Sequence, residues 1–553
     1  MSFFDDASLV FLPSGEAGKD GKAYSMKPTN GDGDFTFSRG SNLTSTRIDS
    51  NGLIEKGREN LLLQSNQFDT TWTTSNSSVT SGQSGYDGSS DAWLLENTST
   101  SFPRIEQAKS ISGVVTCSIY AKAGTNNFVR PLQIGGSNAQ AYFDLSNGTI
   151  ANESNVIDAK IESVGSGWYR CSITFDGATT AVRIYSADAV GSFALGNTII
   201  QSAQLEIGLV ATEYIESGAT TGKAGILEHS PRFDYSGGAS CPSLLLEPSR
   251  TNLIGYSEYL EGTGWTAQAG ITLTPNTTET LSPEGLNNAY KVVSTDATKG
   301  FYISGLNVTN DAVRTIYLKG SVGGETIVFK DPSGFGTPST KTLTTDWQRF
   351  EMATTNDGNT YQGLFIDDIS VGTIYAYGAQ VELGSYPTSY IPNHSGGSVT
   401  RNAEQIVNTN ISSIINTSNS YTIFFDFTRP NADYVSAWQL IGIDNGGYTS
   451  RLKIVQRANF DQFRVNIYDG TTNVTSSEID NSAQNKIAIV YDGRTSYKIF
   501  TNGTLLETLS CGAINGTRLT SGENGTQRTI DNYQQISLFP SALSDAECIT
   551  LTS

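Results

Sequence analysis

The sequence predicts an all-β protein: tandem antiparallel β-sandwiches preceded by an extended N-terminal arm. Three observations predict it. The 56 glycines against 15 prolines, with abundant Ser, Thr and Asn, suit many short strands joined by tight turns. No long stretch rich in Ala, Glu, Lys and Leu is present, so helix should be scarce. The chain also repeats itself. Asn60-Leu61-Leu62 with Trp72 returns as Asn252-Leu253-Ile254 with Trp265, and Ile119-Tyr120-Ala121-Lys122 as Ile316-Tyr317-Leu318-Lys319. Trp168-Tyr169-Arg170 returns as Trp347-Gln348-Arg349. Ala203-Gln204-Leu205-Glu206 with Thr212, Tyr214 and Ile215 returns as Ala379-Gln380-Val381-Glu382 with Thr388, Tyr390 and Ile391. Islands in the same order imply two copies of one domain, with a period too long for a solenoid of about 20–50-residue units.

Residues 1–58 lack sustained periodicity and read as an extended docking arm that needs a partner surface. Residues 59–218 form the first repeat. Thr116-Cys117-Ser118-Ile119-Tyr120 alternates and is rich in β-branched residues, a strand signal, and Trp168-Tyr169-Arg170-Cys171-Ser172-Ile173 is another. Residues 219–250 are punctuated by Pro and Gly but carry Phe233, Tyr235 and Leu244-Leu245-Leu246, so they read as a packed connector rather than a free linker. Residues 251–395 are the second copy. Residues 396–553 are a different module. Tyr421-Thr422-Ile423-Phe424-Phe425 alternates, and Asn502-Gly503 is the strongest short hairpin signal in the chain. Ser544-Asp545-Ala546-Glu547 suggests a short helical turn near the end.

At 553 residues the chain exceeds one hydrophobic core and predicts roughly three or four domains. Its net charge of −19 repels phosphate backbones and argues against a nucleic-acid partner. No apolar run reaches the ~18–20 residues that span a bilayer. The start has no basic n-region followed by an apolar stretch, so the chain is expected to be made in the cytoplasm without a signal peptide. The five cysteines are odd in number and widely spaced, against a disulfide framework or a zinc site.

The repeat pattern of an Asn-Leu opening, a Trp about a dozen residues on and a Gln-x-Glu strand before Thr-x-Tyr-Ile resembles the carbohydrate-binding-module-like jelly rolls of bacteriophage structural proteins. The C-terminal module resembles the laminin-G/concanavalin-like fold through Ile489-Val490-Tyr491-Asp492-Gly493, Phe500-Thr501-Asn502-Gly503 and Ala542-Leu543-Ser544-Asp545-Ala546-Glu547. Asp34-Phe35-Thr36-Phe37-Ser38-Arg39-Gly40 and Asn51-Gly52-Leu53-Ile54-Glu55 are similar to the head of a family common in marine tailed-phage genomes, and Pro231-Arg232-Phe233-Asp234-Tyr235 with residues 241–248 to its next block. In that family the blocks lie close together. Here the first repeat copy sits between them, as if inserted. The resemblance implies a virion protein with sugar-binding sandwich faces.

No nucleophile–base motif, P-loop, HExxH or Cys/His cluster stands out, and the chain is not expected to be an enzyme. The repeated Trp72, Trp168, Trp265 and Trp347 could stack on sugars, but retention in both copies is what a shared core produces. Trp438 has no repeat partner and, with Tyr448 and Arg451, is the candidate ligand-binding group, against packing as the competing reading. Asp32 and Asp34 in a Gly-rich turn could hold Ca²⁺ through hard oxygen ligands. The function expected is a virion surface appendage: a tail-fibre or receptor-binding component contacting host surface glycans. The alternatives are a head fibre or capsid decoration protein, and a glycan-degrading tailspike. Residues 1–58 are expected to dock on other virion proteins, and the appendage to be a homo-oligomer such as a trimer, although no heptad or β-helix repeat would wind the chains together.

Overall fold

The chain is all-β. The computed structural model describes residues 3–13, 18–19, 21–40, 43–308, 310–330, 338–354, 362–429, 439–447, 449–457, 461–522 and 530–553. Among the described residues the α-helices are Phe3–Asp6, Ile411–Ile414 and Asp545–Thr552.

The last sandwich is assembled from three separated parts of the chain. In one sheet, strand Leu9–Phe11 pairs antiparallel with Asp531–Phe539, Leu9 opposite Leu538. Ser243–Leu246 pairs with that same strand, and Arg232–Asp234 extends the sheet outward. On its other side run Tyr421–Thr428, Asn485–Tyr491, Ser496–Thr501 and Thr504–Ser510. In the facing sheet Phe35–Ser38 pairs with Gln405–Asn408, which leads to Arg518–Ser521, Gln439–Asp444, Arg451–Gln456 and Gln462–Tyr468. The two-residue pleat period sends Phe35 and Phe37 inward and leaves Thr36 and Ser38 exposed. Phe11, Phe35, Phe233, Leu244, Phe425 and Ile536 meet in one apolar core.

Residues 1–58 are therefore no free arm, and residues 219–250 are more than a connector. Both supply strands to the sandwich expected at 396–553, and the partner surface that residues 1–58 need belongs to the same chain. Three-residue strands such as Leu9–Phe11 are unstable alone, because their backbone groups and side chains are satisfied only inside a larger sheet.

The repeated sandwiches are insertions into this composite. Arg58–Asn60 pairs with Gly222–Ala224, a two-stranded ribbon through which the first copy leaves and re-enters. Arg250–Asn252 pairs with Val399–Arg401 and does the same for the second. In the first copy one sheet runs Asp158–Gly165, Trp168–Asp176, Val114–Ala123, Gly196–Ile207, Ala92–Asn97, Ser77–Gln83. In the second copy the matching sheet runs Gln348–Thr354, Ala312–Gly320, Gly372–Leu383, Tyr290–Ser294, Ile271–Thr274, the same order with no counterpart of Asp158–Gly165 among the described residues.

Local signals behave as the residues dictate. Asn502 and Gly503 both take positive φ, 43° and 79°, the geometry a two-residue hairpin turn demands. The C-terminal turn is a full helix, Asp545–Thr552, closed at its start by a reciprocal capping box between Ser544 and Glu547.

Where the three parts of the composite meet, Arg39, Arg232, Glu247, Arg401 and Glu404 form a buried ionic cluster. Arg232 Nε donates to Glu404 Oε1 at 2.7 Å and its Nη2 to Glu247 Oε2 at 2.8 Å. Arg401 Nη1 lies 2.8 Å from Glu247 Oε2. Each carboxylate faces two guanidinium groups, which offsets the desolvation of placing charges here.

Candidate functional site

The matched islands of the repeat build the same clasp twice. Asn60 Nδ2 donates to Ala203 O and Ile215 O at 3.1 and 2.8 Å, while its Oδ1 accepts from Leu62 N and Leu205 N. Asn252 makes the equivalent bonds to Ala379 O, Ile391 O, Ile254 N and Val381 N. Gln204 and Gln380 each accept from the matching isoleucine N–H at 2.7 Å. Glu206 accepts from Thr212 N and Oγ1, and Glu382 from Thr388 N and Oγ1. The Gln-x-Glu and Thr-x-Tyr-Ile pattern thus sews the ends of each sandwich to its long last strand. The repeated tryptophans also serve packing. Trp72, Trp168 and Trp265 are buried, and Trp347 is partly buried with its Nε1 donating to Leu281 O at 2.8 Å.

The copies part company beside the clasp. Six residues after each opening asparagine stand Asn66 in the first copy and Glu258 in the second; three residues after each matched isoleucine stand Gly218 and His394. In the second copy this corner is set against the first sandwich. Val114 N donates to His394 O at 3.0 Å, Tyr256 OH donates to Asp176 Oδ1 at 3.1 Å, and Asn276 Nδ2 donates to Leu209 O at 2.8 Å. Val114 and Leu209 join the apolar core of the second copy.

In the first copy the same corner is an open polar hollow of about 370 Å³, lined by Gln64, Asn66, Gln67, Asp91, Trp93 and Glu216 among others. Its side chains are held in place. Asn66 Nδ2 donates to Asp91 Oδ2 at 3.0 Å, and Asn66 Oδ1 accepts from Ser202 N at 3.0 Å. Asp91 Oδ1 accepts from Gln201 Nε2 at 2.6 Å and from the Ser89 hydroxyl. Trp93 forms part of the wall with its Nε1 donating to Asn66 O at 2.9 Å. The neighbouring Asp87 carboxyl sits below its usual range, chiefly through the Ser89 hydroxyl. Among the described lining residues the charged ones are Asp91 and Glu216, with no Lys, Arg or His. Such a surface offers paired donors and acceptors to a neutral, hydroxyl-rich ligand.

Arg451, Asp32 and Asp34, singled out in the sequence, do not line the hollow. Trp438 and Tyr448 fall outside the described residues. Arg451 is on strand Arg451–Gln456 of the composite sandwich, half-buried, with its guanidinium 5.3 Å from the Tyr468 ring and Nε donating to Asn466 Oδ1 at 3.4 Å. Asp32 and Asp34 share a turn that is tied by hydrogen bonds. Asp34 Oδ1 accepts from Ser25 N at 2.9 Å, Asp32 Oδ2 from Asn30 Nδ2 at 2.8 Å, and Asn408 Nδ2 clamps both backbone carbonyls. Among the described residues no group of three or more His, Cys, Asp and Glu is placed to hold a metal ion.

No family model matches the sequence, and no curated protein is similar to it. Among solved structures the chain is similar to the CBM40 of the Ruminococcus gnavus IT-sialidase bound to α2,3-sialyllactose, at 19% identity over 24% of this chain and 83% of that one, TM-score 0.21. It is also similar to the binding domain of botulinum neurotoxin serotype C1, at 12% identity and TM-score 0.23, and to that of Paraclostridial Mosquitocidal Protein 1, at 16% identity and TM-score 0.23. Each covers 27% of this chain, which spans 40% of the toxin domain. The neighbours are thus a carbohydrate-binding module and toxin binding domains. Each likeness is confined to about a quarter of this chain, and no residue role is carried over from it.

Proposed function

We propose that this chain is a non-catalytic, glycan-binding surface appendage of a bacteriophage particle, a tail-fibre or receptor-binding component. The observation that carries the binding role is the hollow of the first inserted sandwich. Asn66, Asp91, Gln64 and Trp93 converge there on a held frame. Amide and carboxylate groups suit sugar hydroxyls. The absence of cations among the lining residues favours neutral over acidic saccharides. Repetition on a particle would raise weak single contacts through avidity.

Attachment would run through the composite sandwich, since residues 1–58 are part of it. Cryo-EM of the intact particle tests the location. Density at the tail with the first inserted sandwich outward is expected; density on capsid capsomers would favour decoration, and absence from the particle would overturn the virion role. A glycan screen with the intact chain tests the ligand: neutral glycans are expected to bind, and no binding at all would overturn the recognition role.

A further inference from the structure

We propose that the far tip of the first inserted sandwich docks on a neutral phospholipid bilayer, burying apolar loop side chains among the headgroups without crossing it. The tip is separate from the polar hollow and does not rest on glycan recognition there. Two loops form it, residues 98–103 and 188–195. Phe102 is 61% exposed, Leu195 65% and Val190 46%. The Phe102 and Phe193 rings, with centroids 5.7 Å apart, join the loops. The strand Gly196–Ile207 starts at this tip and runs roughly 35 Å at ~3.3 Å per residue. Asn60, where the chain enters the sandwich, bonds to Leu205 near the far end of that strand. Tip and attachment therefore lie at opposite ends.

The fold does not ask for these side chains. Ser294 faces Gly372 in the second copy as Asn97 faces Gly196 in the first, so residues 98–103 and 295–300 are equivalent turns. The second copy makes its turn with Asp296 and Lys299 and no aromatic residue. The first holds Phe102 outward at a φ of 53°, in the left-handed region that strains a bulky residue. The second loop is anchored beneath. Asp188 Oδ1 accepts from Ala194 N at 2.7 Å, and Asn97 Nδ2 donates to Ala194 O at 2.8 Å.

Charge and shape select the occupant. Residues 98–103 and 189–196 hold no Asp, Glu, Lys or Arg, so they can enter a low-dielectric layer without desolvating a charge. The same want of charge leaves a protein partner without the paired charges that fix register. The described lining of the hollow between the loops is Thr100, Phe102, Gly191, Ser192, Phe193 and Ala194, with no amide or charged side chain to orient a sugar. Val190 and Leu195 stand outside that hollow, so what covers them is a surface and not a small molecule. The net charge of −19 repels anionic lipids, which leaves zwitterionic headgroups.

Flotation of the full chain with phosphatidylcholine vesicles tests this, at low and high salt and beside vesicles containing phosphatidylserine. These vesicles carry no saccharide, so failure of docking and failure of glycan recognition are distinguishable. Partition onto phosphatidylcholine that survives high salt is expected, with less onto the anionic vesicles at low salt. Phe102→Asn supplies a residue that tolerates positive φ, and Leu195→Ser changes an exposed side chain, so both variants should fold. Each should lower the partition coefficient roughly tenfold. Val322→Ser, at an exposed site on the second copy, should leave it unchanged. No flotation, flotation on anionic vesicles alone, an equal loss in Val322→Ser, or a partition unchanged in both tip variants would overturn the proposal. So would tip variants that lose self-association in gel filtration but float as before, which would assign the tip to a contact between copies.

Discussion

Arg39 Nη1 lies 2.9 Å from Glu404 Oε1, although 365 residues separate them in the chain. Both are buried, and Arg232 from the middle of the chain reaches the same oxygen. One carboxylate therefore ties together the three parts of the composite sandwich. Replacing it, Glu404→Ala, leaves guanidinium groups buried with too little counter-charge. A loss of about 3–5 kcal/mol is expected, read by urea denaturation. An effect within the scatter of surface mutations would show that the three parts hold together without the cluster.

Acid should release the same joint. Burial pushes the Glu247 carboxyl upward, but Arg401 and Arg232 outweigh burial and bring it down to about 2 from its ordinary 4.5. Glu404 is lowered as well, against burial and mainly by Arg232. A carboxyl whose folded value is depressed contributes stability that is fully present above the unfolded value and lost as pH falls through the folded one. The window is therefore from pH 4.5 down to about 2. Melting temperature followed through that range should fall steeply, and Glu247→Gln should flatten the fall.

The insertion topology predicts which fragments fold. Gly222 pairs with Asn60, so a short Gly-Ser bridge between them can replace residues 61–221. The shortened chain should remain folded and monodisperse by circular dichroism and gel filtration. Residues 396–553 alone should not fold, because they lack strands Leu9–Phe11, Phe35–Ser38 and Ser243–Leu246 and the core side chains these carry.

Equivalent clasp changes should have equivalent effects. Glu206→Ala and Glu382→Ala each remove the acceptor of a buried threonine N–H and hydroxyl and one acceptor of a buried glutamine amide. Each should cost about 2–4 kcal/mol in its own sandwich, measured by hydrogen exchange of the long last strand. A large effect in one copy and none in the other would contradict a shared role.

What the residues made legible follows from distance along the chain. Asn60, Gln204 and Glu206 were readable because the clasp occurs twice, and repetition marks architecture. Strand alternation was readable because it is local, as at Phe35–Ser38. The partner of that strand was not, since Gln405–Asn408 lies hundreds of residues away and short strands carry no address. The hollow escaped notice for a different reason. Asn66, Asp91 and Glu216 look like ordinary turn residues one at a time. The usable signal was where the copies disagree, Asn66 against Glu258 and Gly218 against His394, at a corner set against the neighbouring sandwich in one copy and open in the other. Trp438 stands out in the sequence because it has no repeat partner, and it lies with Tyr448 outside the described residues.

Glycan recognition through the hollow is tested most directly by titrating neutral oligosaccharides from a host-envelope glycan screen into the wild-type chain and into Asn66→Ala and Asp91→Ala variants. Saturable wild-type binding, weakened about tenfold or more in each variant with folding intact, is the predicted result. Binding that is equal in all three proteins, or absent from all, would contradict the account.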